Sequence, residues 1–129
     1  MEIRKEIKIL LAEDNMINRR IAAIMFNQMD LTFDIACNGK EAVGMYQQNR
    51  YDLIFMDIQM PVMNGLEATR LIRAFEKESD LPINVYIVAL TASLISEKRD
   101  ECLEAGIDDF LEKPLLKSKL AKLMSQMGT

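Results

Sequence analysis

A chain of 129 residues, half of them hydrophobic, has the size of one ordinary domain built around a single core. Its 16 basic and 20 acidic residues include no Lys/Arg run that could track a phosphate backbone, so nucleic acid is not expected as a direct partner. The chain has no histidine, which removes the commonest general base and the commonest transition-metal ligand, and leaves carboxylates, hydroxyls and lysine to carry any chemistry.

The opening MEIRKEIKILLAEDN holds an apolar run too short and too interrupted by charge for a secretory signal or a membrane span, so no direct membrane insertion and a cytoplasmic location are expected. Ile7 to Ala12 reads as a strand. Ile17, Ile21, Ile24, Met25 and Met29 then recur at three- and four-residue intervals, the apolar face of a helix. Thr32 to Ala36 alternates in polarity as a second strand, and Asn38 with Glu41 three residues on gives a capping-box start to a helix through Ala42, Val43 and Tyr46. Leu53 to Met56 is apolar on both faces. Asn64 and Glu67 open the next helix, continued by Ala68, Leu71, Ile72 and Phe75. After the polar loop Lys77 to Asn84, Val85 to Leu90 is a fourth strand, Ser96 opens a more polar helix, and Gly106 ends it in a left-handed cap. Asp109 to Glu112 is a short last strand. The helix after Pro114 carries Leu116, Leu120, Leu123 and Met127. Cys37 and Cys102 lack the spacing of a metal knuckle or redox pair and read as packed, reduced thiols. Ten methionines read as fillers of core gaps. One domain is expected over residues 1–129, with 1–6 and 128–129 flanking it.

Strands that alternate with helices call for a parallel sheet covered on both faces, because parallel neighbours need crossover connections. The first, third and fourth strands are apolar throughout, as buried strands are. Asp34 in the second, and Asp109 and Glu112 in the fifth, put charge where sheet edges tolerate it. Of the two common doubly wound orders, 2-1-3-4-5 leaves strands two and five outermost, which is the flavodoxin-like arrangement.

In such a sheet the functional crevice lies beyond the carboxyl ends of the strands. There stand Glu13 and Asp14, Asp57, Thr91, and the pair Lys113-Pro114. Three clustered carboxylates repel one another, and a hard divalent cation resolves the conflict; oxygen ligation with room for water suits Mg²⁺ or Mn²⁺. A hydroxyl and an ammonium beside them imply an anion. Together they make the set that phosphoryl transfer needs, with Asp57 as acceptor through a carboxylate oxygen.

The segments ILLAEDN, MDIQMPVMNG, ALTA and LEKP, in this order across nearly the whole chain, resemble the receiver domain of two-component response regulators. The resemblance implies that Asp57 takes a phosphoryl group from a histidine kinase or a histidine phosphotransfer protein, and that the domain's own hydrolytic activity later removes it. It further implies that Asp14 and Asp57 ligate Mg²⁺ with the backbone carbonyl of Gln59, that Glu13 acts through water, and that Thr91 and Lys113 contact phosphoryl oxygens. Phe110 matches the aromatic switch position, Lys113-Pro114 the family's cis peptide, and Gln59 and Ser93 the positions that tune phosphoryl lifetime. The wording EDNMIN and MDIQMPVMNG is most similar to receivers of hybrid sensor histidine kinases. The chain is then either a stand-alone receiver or a piece of such a sensor, whose parent would be a histidine kinase. Asn64 stands where many relatives have aspartate; either residue caps the following helix.

Simpler readings stand beside these. Glu13 and Asp14 taken alone are a solvated strand end with Asn15 capping the first helix, Thr91 a strand-end residue, Lys113 a surface charge, and Phe110 edge-strand packing. Two other functions share features with the sequence. An aspartyl-nucleophile phosphatase is disfavoured because Gln59 sits where a second aspartate is needed, and a nucleotide-binding enzyme because AEDN replaces a glycine-rich loop. A receiver-like interaction module that is never phosphorylated keeps the fold without the chemistry.

Overall fold

The computed structural model describes residues 7–92 and 99–126. Five strands, β1 (Lys8–Ala12), β2 (Thr32–Ala36), β3 (Leu53–Asp57), β4 (Tyr86–Thr91) and β5 (Asp109–Glu112), alternate with five helices, α1 (Met16–Gln28), α2 (Gly39–Gln48), α3 (Gly65–Glu78), α4 (Arg99–Ala105) and α5 (Lys117–Gln126). The strands form one parallel sheet in the order β2-β1-β3-β4-β5. This is the flavodoxin-like order expected from the sequence, with the charged strands at the edges.

Every residue of β3 is buried, as its unbroken apolar run requires of a central strand. Successive side chains point to opposite faces and build two cores. Leu10, Ile54, Met56 and Ile87 pack on one face with residues of α2, α3 and α4. Ile9, Leu11, Leu53, Phe55, Val88 and Leu90 pack on the other with Phe26 of α1 and Leu120 and Leu123 of α5. The edge strands are only half-buried. Asp34 in β2 is not simply solvated, since its carboxylate accepts the Tyr51 hydroxyl at 2.6 Å.

The helix starts follow the local chemistry of the caps. Asn15, Asn38 and Asn64 each accept a backbone N–H three residues on, from Asn18, Glu41 and Glu67. The box at Asn38 closes on the residue before the cap, because the Glu41 carboxylate accepts from the Cys37 N–H at 2.9 Å. Gly106, at φ 113°, ends α4 in the left-handed conformation expected for it. The start expected for that helix at Ser96 lies outside the described residues, as do Ser93, Met127 and the flanks 1–6 and 128–129.

The face of α1 is only partly the one expected. Met25 is buried and Met29 packs half-buried against the same core, as expected, but Ile17, Ile21 and Ile24 are 67, 53 and 59 % exposed, and Ala22 and Phe26 are buried in their place. Two apolar stripes run along this helix, and the sheet takes the one with the aromatic ring. Phe26 lies 5.1 Å from Phe33 and 6.2 Å from Phe55, centroid to centroid, inside the range of favourable aromatic pairs. Leu71 and Leu116, also expected in the core, are about half exposed (45 and 47 %). No helix among the described residues is long and apolar enough to cross a membrane.

Candidate functional site

The sheet order places the ends of β1, β3 and β4 side by side, with β5 next, so residues far apart in sequence meet at one edge of the sheet. Glu13 and Asp57 are each 3 % exposed and Asp14 is open to solvent. One carboxylate oxygen from each lies within 4.8 Å of the others. Lys113 Nζ is 2.7 Å from Asp57 Oδ2 and 3.5 Å from Glu13 Oε1.

Backbone geometry holds each acid. The Glu13 N–H donates to the Ala36 carbonyl at 3.0 Å, and the Asn15 N–H donates to Glu13 Oε2 at 3.2 Å. Asn15 caps α1 in the same turn, so the capping reading and the site reading of Glu13-Asp14-Asn15 are realised together. Asp57 Oδ1 accepts the Gln59 N–H at 3.2 Å. The Lys113 N–H donates to the Thr91 carbonyl at 2.7 Å, which ties the end of β5 to the end of β4, and Thr91 stands opposite Glu112 in the strand register. The Lys113-Pro114 peptide is cis.

Burial, then a hydrogen bond to Asp57 and its charge, push the Glu13 carboxyl up to about 7. Burial alone would lower Lys113, but the hydrogen bond and charge of Asp57, with Glu13 behind, outweigh it and hold the ammonium above its ordinary value. Among the described residues, the Lys113 ammonium is the cation paired with these carboxylates, and three acids around it fit a hard divalent cation held by oxygens.

Phe110 is half-buried and packs against the core on the side of α2, α3 and α4. The Arg99 guanidinium of α4 stacks 4.5 Å from its ring centroid. Sequence reasoning missed two supports of the site. Arg19 donates from Nη1 to the carbonyls of Glu13 at 3.2 Å and Asp14 at 2.8 Å, fixing the turn that presents both acids. Its place one turn beyond the Asn15 cap was the only signal. The second is a tie on the loop after β3, where the Gly39 N–H donates to the Met63 carbonyl at 3.1 Å.

Fold and site together define a doubly wound α/β domain with an acidic, lysine-bearing pocket at the carboxyl edge of its sheet. Residues 9–125 match the family model of the response regulator receiver domain. The chain belongs to that family, and it is a receiver domain of two-component signalling. It is 43 % identical to hybrid signal transduction histidine kinase B of Dictyostelium discoideum over 127 residues, covering 93 % of this chain and 6 % of that protein. It is 38 % identical to histidine kinase 5 of Arabidopsis thaliana over 141 residues, covering 92 % of this chain and 15 % of that protein. The chain thus spans a small part of the curated relatives it matches.

Among solved structures, the receiver domain of Ssk1 from Saccharomyces cerevisiae, crystallised with the histidine phosphotransfer protein Ypd1, has a TM-score of 0.89 and 35 % identity over 97 % of this chain and 90 % of that one. The receiver domain of sensor histidine kinase PA1611 from Pseudomonas aeruginosa PAO1 has a TM-score of 0.84 and 35 % identity over 97 % of this chain and all of that one (100 %), and carries a magnesium ion coordinated in its active site cleft.

Proposed function

We propose that Asp57 is the phosphoacceptor of this receiver. The observation that carries the reading is the buried Asp57 carboxylate, 2.7 Å from Lys113 Nζ and within 4.8 Å of two further carboxylates. Asp14, Asp57 and the Gln59 carbonyl would hold Mg²⁺, with Glu13 acting through water and Mn²⁺ as a substitute. The bound ion supplies neutralising charge to the phosphoryl oxygens. Asp57 attacks phosphorus through a carboxylate oxygen; the new P–O bond forms as the donor's bond to phosphorus breaks, and the electron pair leaves with the donor. Lys113 exchanges Asp57 for a phosphoryl oxygen, and Thr91, at the neighbouring strand end, donates its hydroxyl to another.

The added charge biases a two-state switch. Thr91 draws inward, Phe110 follows, and the surface of α4, β5 and α5 changes its affinity for a partner. The positions of Gln59 and Ser93 tune the lifetime of the phosphoryl group, which the domain's own hydrolysis ends. The chain is read as one receiver domain over residues 1–129, with 1–6 and 128–129 flanking it, either a stand-alone receiver or the cytoplasmic part of a hybrid histidine kinase.

The phosphodonor is a histidine kinase or a histidine phosphotransfer protein, and α1 supplies its seat. Ile17, Ile21 and Ile24 form an exposed stripe at helical spacing. A groove of about 260 Å³, lined in part by Ile21, Ala22, Leu90 and Pro114, runs from this stripe to Lys113 and Glu13. A donor's histidine must reach Asp57 past this edge, and an apolar helix face fits the stripe. Ile21→Glu is expected to slow transfer from a phosphotransfer protein by about 10-fold or more, the cost of one lost interface anchor. Labelling by acetyl phosphate, which needs no docking surface, stays unchanged. Rates from the two donors measured side by side check this.

Intact mass after incubation with Mg²⁺ and acetyl phosphate, with and without a chelator, tests the phosphoacceptor reading. The expected result is one phosphoryl adduct that the chelator prevents. A folded protein that takes up no phosphoryl group from either acetyl phosphate or a phosphotransfer protein would leave a phosphorylation-independent docking module.

A further inference from the structure

The loop between β3 and α3, residues 58–64, forms one wall of the acidic pocket and is held in a costly conformation. Val62 sits at φ 69°, in the left-handed region that a β-branched residue rarely adopts. It forms the middle of a three-residue turn closed by the Met63 N–H donating to the Pro61 carbonyl at 2.7 Å. With the Val62 side chain 77 % exposed, no packing of its own keeps it there. Such a conformation persists only when the surroundings over-determine it.

The surroundings that do so lie at the start of α2. The Gly39 N–H belongs to the first turn of a helix and has no acceptor within it. It donates to the Met63 carbonyl at 3.1 Å and so straps the tip of the loop to α2. A Cβ at Gly39 would lie inside van der Waals contact of the Met63 carbonyl oxygen and 3.0 Å from that of Asn64, both backbone atoms that cannot turn aside. The base of the loop is closed in the same way. The Gly65 N–H donates to the Ile58 carbonyl at 3.0 Å, and a Cβ at Gly65 would collide with the Asp57 carbonyl oxygen. Gln59, whose N–H holds Asp57 Oδ1, lies between these two ties.

We propose that Gly39 is a positioning residue for the acidic pocket: by strapping the Met63 carbonyl it keeps the 58–64 loop in the strained turn that sets Gln59 against Asp57, and so sets the affinity for the divalent cation. This rests on the reading of Glu13, Asp14 and Asp57 as a magnesium site. Gly39 touches neither the cation nor the phosphoryl group and acts only through the loop.

Two measurements test it. In the metal-free native protein, amide hydrogen exchange read by NMR is expected to find the Gly39 N–H protected and to find it slowed further when Mg²⁺ is added, because strap and cation stabilise one loop conformation. In Gly39→Ala, the Mg²⁺ concentration that half-saturates labelling by acetyl phosphate is expected to rise about 10-fold, as it does when an outer-shell partner of a metal ligand is lost. The labelling rate at saturating Mg²⁺ falls far less than the Mg²⁺ requirement rises, since Gly39 reaches Asp57 only through Gln59 and leaves Lys113 untouched. Val43→Ala, a truncation in the buried face of α2, is the control for plain loss of stability; it lowers Tm without moving the Mg²⁺ requirement. A Gly39 amide that exchanges like any free first-turn amide overturns the proposal, as does a Gly39→Ala protein whose Mg²⁺ requirement equals that of Val43→Ala. A native protein that forms no Mg²⁺-dependent adduct overturns the magnesium reading instead, and the Gly39 exchange rate then decides the strap alone.

Discussion

Asp57→Asn is expected to take up no phosphoryl group from acetyl phosphate at Mg²⁺ concentrations that label the native protein fully, while keeping its fold. The substitution keeps shape and volume at a position that is 3 % exposed, so the end of β3 stays packed. The amide oxygen can still accept the Gln59 N–H now held by Oδ1 at 3.2 Å. What is lost is the nucleophile. An ionised carboxylate carries the lone pair that forms the P–O bond as acetate departs, whereas an amide is neutral and its oxygen lone pairs are tied into resonance with nitrogen. The charge balance changes too. Lys113 Nζ loses its ion pair with Asp57 at 2.7 Å and is left with Glu13 Oε1, at 3.5 Å in the native protein. With one carboxylate of three gone, the pocket has less negative charge to hold a divalent cation, so Mg²⁺ affinity falls with the labelling. Intact mass and a thermal melt on the same sample check both halves. Labelling that persists would move the acceptor to another residue, with Asp14 and Glu13 the nearest carboxylates.

The parts of the molecule that were legible in the sequence are those written in local chemistry or in strand order. The three asparagine caps are each decided within four residues, and the buried runs of β1, β3 and β4 announce a doubly wound sheet by themselves. Once the order 2-1-3-4-5 follows, Glu13, Asp14, Asp57 and Lys113 must meet, because the carboxyl ends of neighbouring strands are neighbours. The face of α1 was only partly legible: Met25 and Met29 of the expected stripe do face the core, but Ile17-Ile21-Ile24 and Ala22-Phe26 offer competing apolar sides beside them. Only the positions of Phe33 and Phe55, supplied by other strands, select the second. Gly39 could not be read because its partner is the Met63 carbonyl, 24 residues on and fixed by the path of another loop. Glu76, a charged residue late in α3, is 3 % exposed, and nothing local in the sequence marks it as buried, because its partners Tyr46 and Val85 come from other elements.

Arg73→Ala is expected to destabilise the fold by about 3–5 kcal/mol, the cost of leaving one member of a buried ion pair without its partner. Glu76 accepts from the Tyr46 hydroxyl at 2.7 Å, the Val85 N–H at 2.6 Å and Arg73 Nη1 at 2.8 Å. The two neutral donors satisfy its oxygens, and among the described residues Arg73 is the ion-pair partner that balances its charge. Arg73 also does more than neutralise. Its Nη1 donates to the Val85 carbonyl at 2.8 Å, Nε and Nη2 converge on the Gly106 carbonyl at 3.0 and 2.9 Å, and Nη2 reaches Asp108 Oδ2 at 2.7 Å. One guanidinium therefore ties α3 to the start of β4 and to the turn between α4 and β5. A compact ammonium cannot span these acceptors, so Arg73→Lys is expected to recover the charge and not the fork, and to fall between the native protein and Arg73→Ala. Glu76→Gln removes the buried charge while keeping an acceptor for Tyr46 and Val85, and Arg73 retains Asp108, so it is expected to cost less than Arg73→Ala. Urea unfolding of the three variants gives the order. A loss in Arg73→Ala of under about 1 kcal/mol, the scale of an exposed pair, would mean that water already balances Glu76. Because domains of this size are stable by only about 5–15 kcal/mol, the larger loss would leave Arg73→Ala close to unfolding at growth temperature without touching a single residue of the acidic pocket.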